Sequence, residues 1–104
     1  MNSEQEAIDV LDASLETLVG DLAAGMGLNE GAYGRACDAL RYLARAWQGR
    51  DVVPRRAVAL VLDVVTVIFN AIADWKEEHK VPVVKKACEL DELIGACFID
   101  ETHA

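Results

Sequence analysis

Three features of this 104-residue sequence predict an all-α fold: a small four-helix domain, homodimeric, with a long apolar third helix. Apolar residues recur at spacings of three and four along most of the chain, the period of one helix face. Both prolines stand where helices could begin, and residues 57–75, AVALVLDVVTVIFNAIADW, are apolar around nearly the whole circumference. The length fits one domain, residues 1–104, with no linker, repeat or low-complexity tract.

The first helix opens at Ser3, with Glu6 three residues on in the capping-box spacing. Ile8, Leu11, Leu15, Leu18 and Leu22 form its seam, and Gly25 and Gly27 can end it in a left-handed turn. The segment GMGLNEGAYG holds four glycines but lacks the Gly-Lys-Ser/Thr ending of a phosphate loop, so it reads as an inter-helix turn. Asn29 caps a second helix with the apolar row Tyr33, Cys37, Leu40, Ala44 and Trp47, which Gly49 stops.

Asp51 and Pro54 open the third helix, and EEHKVP closes it, with Lys80 near its C-terminal end. Pro82 starts the fourth, whose seam is Val83, Ala87, Leu90, Ile94 and Cys97. Gly95 inside that helix costs up to about 1 kcal/mol relative to alanine and should weaken its end. Short connections imply antiparallel neighbours.

The third helix carries the functional argument. Arg56, Asp63, Thr66, Asn70, Asp74 and Glu77 fall in one narrow stripe, so here the polar part is the stripe. A membrane span is not expected. Spanning takes roughly 20 mostly apolar residues, and a central aspartate costs about 2.5–3.5 kcal/mol on insertion scales. Val61, Val65, Ile68, Ile72 and Trp75 oppose the stripe and are the expected core. Two flanks are left over: Leu60, Val64, Val67 and Ala71 on one side, Leu62, Phe69 and Ala73 on the other.

Charge narrows the choice of partners. The net charge of −8 disfavours a phosphate backbone. Residues 1–34 hold seven acids and no base, and residues 35–56 hold six arginines against two aspartates. Arginines interleaved with Tyr33, Tyr42 and Trp47 could form a nucleic-acid surface. The reading taken is that they face the acidic first helix, so no direct nucleic-acid binding is expected.

Cys37, Cys88 and Cys97, an odd number without a signal peptide, read as free thiols in a reducing cytoplasm. They show no convergent spacing with His79 or His103, so neither a metal nor a cofactor is expected. The acid pairs Asp9/Asp12 and Glu77/Glu78 have no positioned histidine, and no enzyme is expected. An all-helical chorismate mutase needs arginines from its first helix, and this first helix has no basic residue.

A chain this short should leave one apolar flank uncovered, and soluble monomers rarely expose apolar patches beyond a few hundred Å². Covering roughly 400 Å² more is worth about 10 kcal/mol gross, much of it consumed by the cost of association. The expected contact residues are Leu62, Phe69 and Ala73, with Val58 and Phe98 adjoining, and a second copy is the simplest occupant.

The stretch MNSEQEAIDVLDASLETLVGDLAAGMGLNEGAYGRACDALRYLARAW, together with the length and four-helix layout, resembles the QslA-like quorum-sensing anti-activators of LuxR-type transcription factors. The resemblance implies binding to the ligand-binding domain of a LasR-like activator, over the surface by which it dimerises. The activator could then no longer grip its two-fold operator. An antitoxin, immunity or phage-type inhibitor of another target is the alternative, physically almost the same object.

Overall fold

Two capped starts set the frame. The Ser3 hydroxyl accepts the Glu6 N–H at 3.1 Å, and the Glu6 carboxylate accepts the Asn2 N–H at 3.0 Å, one residue before the usual capping-box partner. This begins α1, Glu4–Ala23. The computed structural model describes residues 1–98. In α1 all five expected seam residues are buried.

The end of α1 shows why its glycines are there. The Gly25 N–H bonds the Leu22 carbonyl and the Met26 N–H bonds the Asp21 carbonyl, which is a Schellman motif. Gly25 takes φ 74° to complete it. Asn29 then caps α2, Glu30–Ala46, by accepting the Ala32 N–H at 2.9 Å. Its amide also donates to Asp21 at 2.9 Å, pinning the start of α2 to the end of α1. Ala32, Ala36 and Ala39 are fully buried, small residues that let the two helices approach closely. Tyr33, Cys37, Leu40 and Trp47 point inward as expected, and Leu43 is buried where the row had Ala44, which is half-buried.

The third arm departs from expectation. In place of one long helix there are two short ones, α3 (Arg55–Val61) and α4 (Val64–Ala71). Leu62 keeps helical angles, but Asp63 turns to φ −116°, ψ 7° and heads α4. Aspartate competes poorly inside a helix, and the β-branched run that follows loses rotamer freedom there. Four helical arms remain, the third of them jointed. Its inward register crosses the joint intact: Ala57, Val61, Val64, Ile68 and Ile72 are all buried.

The second departure is where that arm stops. Ala71 ends α4, and α5 spans Glu77–Phe98. EEHKVP therefore opens the last helix, and Pro82 lies inside it. Asn70 and Asp74 favour a turn here. A proline six residues into a helix forfeits a single ladder bond, to the Glu78 carbonyl. The helix runs through Gly95 to Phe98.

Directions follow from the cross-links. Glu4 meets Trp47 and Arg50 while Asp21 meets Asn29, so α1 and α2 are antiparallel. Tyr33 reaches Lys86 and Glu89, and the Cys97 thiol reaches the Leu40 carbonyl, so α2 and α5 are parallel. Arg56 grips Asp9 and Asp12, while Val64 and Val67 share a groove with Leu15 and Val19, so the third arm is parallel to α1. α4 packs on both α1 and α5, closing a ring in the order α1, α2, α5, α4. Consecutive arms are antiparallel as expected, yet α2 and the third arm face each other across the ring.

Candidate interaction surface

The third arm lies between α1 and α5 and divides its side chains three ways. Its inward face is in the core. Toward α1, Leu60, Val64 and Val67 line a shallow groove with Leu15 and Val19. Val64, expected on a flank, is buried, and Val65, expected in the core, is half-buried. The inward face, in register through the joint, is turned toward α1. Trp75, also expected in the core, is half-buried in the turn before α5.

The other flank is the exposed one. Leu62 is 73% exposed and Phe69 40%, and Ala73 is exposed while Val58 is half-buried. Because the inward register crosses the joint unbroken, these four fall on one side of the arm. Asp63, Thr66, Asn70 and Asp74 form the exposed polar stripe beside them. Phe98 ends α5, and its ring centroid lies 5.8 Å from that of Trp47, the C-cap of α2, with the two planes tilted 37°. Val67, 40% exposed at the mouth of the α1 groove, extends the apolar area on the opposite side.

Half of the basic block is tied down: two of its six arginines to α1 and one to an aspartate of its own helix. Arg56 bonds Asp9 at 2.7 Å and Asp12 at 3.0 Å, Arg50 bonds Glu4 at 2.8 Å, and Arg41 meets Asp38 at 3.3 Å. Trp47 and Tyr33 are buried and Tyr42 is half-buried, so the interleaved aromatics form no exposed stacking platform. Among the described residues, Arg35, Arg45 and Arg55 make no ion pair.

Further hollows include two larger ones. A groove of about 480 Å³ between α2 and α5 is lined by Tyr33, Cys37, Asp38, Arg41, Lys86 and Glu89. Its floor is knit together: the Tyr33 hydroxyl meets the Lys86 carbonyl and the Glu89 carboxylate, each at 3.1 Å, and the Lys86 ammonium sits 5.0 Å over the ring. Burial raises the pKa of both Tyr33 and Cys37, so neither is primed as an anion. A crevice of about 620 Å³ at the end of the bundle lies among Met26, Leu28, Trp75, His79 and Pro82. The sequence hid it, because it forms where two turns distant in the chain come together.

Cys97 is buried, with its thiol pushed up to about 11 by desolvation, and Cys88, nine residues earlier on α5, faces solvent. Among the described residues no three His, Cys, Asp or Glu side chains converge on a metal position. His103 lies outside the described residues. No helix among them is long and apolar enough to cross a membrane. Comparison with protein-family models, curated proteins and solved structures finds no match to this chain.

Proposed function

We propose that this chain is a homodimeric docking protein, an anti-activator that binds the ligand-binding domain of a LasR-like, LuxR-type transcription factor. By covering the face through which the activator dimerises, it blocks operator binding. The observation that carries the docking reading is the outward flank of the third arm. Leu62, Phe69 and Ala73 stand in solvent above an inward face already complete in the core. Two large apolar side chains on one flank are a surface shaped for another protein. The acidic charge keeps the domain itself off DNA. The class of partner comes from the resemblance of residues 1–47 and the four-arm layout to the QslA-like anti-activators.

The test is a gel shift with a purified LuxR-type activator, its inducer and its operator. Adding this chain should release the operator, and the double variant Leu62→Asp/Phe69→Asp, which keeps its helical circular dichroism, should not. An operator complex untouched by excess wild-type chain overturns the reading.

A further inference from the structure

The groove between α1 and the third arm joins an apolar floor to an acidic rim. Its volume is about 330 Å³, and Leu15, Val19, Leu60, Val64 and Val67 line it. Val19 and Leu60 are half-buried and Val67 is 40% exposed, so part of this floor meets solvent. The charged residues of the lining are Asp12, Glu16 and Asp63, all of them acidic. Arg56 engages Asp12, but the carboxylates of Glu16 and Asp63 make no hydrogen bond or ion pair among the described residues. Glu16 stands on one wall and Asp63 on the other.

Charge around the groove is as one-sided as its lining. α1 has no base, and Arg55 and Arg56, at the head of the third arm, are the only ones on that arm. The next base along the chain is Lys76, in the turn into α5.

The walls also decide the backbone of what can lie between them. Both are helical, with N–H and C=O groups bonded internally, so an extended segment would find no ladder to join. A helix brings its own backbone bonds and offers only side chains, and a groove between parallel helices accepts one. Asp12 to Val19 covers about 10 Å of α1, roughly two turns. An occupant therefore needs an aliphatic stripe at helical spacing for the floor, with lysine or arginine on either side of it. The chain's own arginine-bearing helix does not answer this description, because α2 turns its apolar row into the core.

We propose that this groove docks a short basic amphipathic helix of another protein. Its aliphatic stripe lies on Val19, Leu60, Val64 and Val67, and its cations meet Glu16 and Asp63. The site is on the opposite side of the third arm from Leu62 and Phe69 and is independent of the reading given to that flank. A contact of about two turns is small, so its affinity is low and its exchange fast.

The test is fluorescence anisotropy with the whole chain and three labelled peptides. These are an amphipathic leucine–lysine helix, its leucine–glutamate counterpart, and a scrambled leucine–lysine peptide of equal composition without a stripe. Only the first should bind, and added salt should weaken it. Glu16→Lys/Asp63→Lys should reduce its affinity about tenfold, as reversal of two rim charges implies, and Val67→Lys should also weaken it. Asp91→Lys/Glu92→Lys, an equal change of net charge on exposed positions of α5, should leave it within about twofold. Should Glu16→Lys/Asp63→Lys lose its helical circular dichroism, Glu16→Gln/Asp63→Asn replaces it and should still weaken binding. No binding, equal binding of the scrambled peptide, or an equal loss in the α5 variant overturns the proposal. Self-association that Glu16→Lys/Asp63→Lys abolishes, in a chain that ignores the peptide, also overturns it and gives the groove to a second copy. A chain that binds the peptide as expected yet never releases the operator supports the groove and removes the proposed function. A chain that releases the operator but ignores the peptide does the reverse.

Discussion

Trp47 donates its indole N–H to the Glu4 carboxylate across 2.9 Å, joining the C-cap of α2 to the first turn of α1. Arg50 takes the other carboxylate oxygen at 2.8 Å. The Trp47 bond first, and Arg50 second, hold the Glu4 carboxyl below its ordinary 4.5. A carboxyl whose folded pKa is depressed stabilises the fold above its unfolded pKa and loses that contribution as pH falls through the folded one. Asp9, lowered chiefly by its bond to Arg56, acts in the same direction. Thermal melts should therefore show a melting temperature that declines as the buffer is acidified below about 4.5. Glu4→Gln should flatten part of that decline and shift Trp47 emission. An identical acid profile for wild type and variant would remove Glu4 from this role.

Glycines inside helices give a second prediction. A Cβ added at Gly20 or Gly95 would meet nothing within 4 Å, whereas Gly25 and Gly27 hold φ of 74° and 84°. Gly20→Ala and Gly95→Ala should each stabilise by about 0.5–1 kcal/mol. Gly25→Ala and Gly27→Ala should destabilise. Urea unfolding with unchanged slope measures all four.

Thiol chemistry should separate the three cysteines. Cys37 and Cys97 are buried with raised pKa, and Cys88 is exposed. Titration with a chromogenic disulfide at pH near 8 should modify one thiol rapidly and the other two only on unfolding. Three fast thiols would contradict the burial of the α2/α5 seam.

Core and flank should differ in what truncation costs. Leu18 is fully buried, so Leu18→Ala should cost about 2–5 kcal/mol of stability. Phe69 is 40% exposed, so Phe69→Ala should cost much less, within about 1 kcal/mol, while weakening association. A Phe69→Ala variant as unstable as Leu18→Ala would place that ring in the core.

Much of this was legible because local chemistry decides it. The caps Ser3 and Asn29, the α1 leucine seam and the stop at Gly25 need only neighbours a few residues away, and the periodicity that marks Leu62 and Phe69 as one flank is equally local. The joint at Asp63 was not legible in the same way. A continuous helix and a jointed one bury the same residues, and the choice turns on what α1 and α5 offer the arm. The start of α5 is not legible because Pro82 in a first turn and Pro82 in a second differ by one ladder bond. Only the fold shows that Phe98 has Trp47 for a neighbour.

Size-exclusion chromatography with light scattering, on this chain mixed with a purified LuxR-type ligand-binding domain, tests the central claim most directly. The expected result is a mixed complex that depletes the activator's own dimer, formed by wild type and lost in Leu62→Asp/Phe69→Asp. An activator dimer that elutes unchanged beside this chain, at tens of micromolar of each, would contradict it.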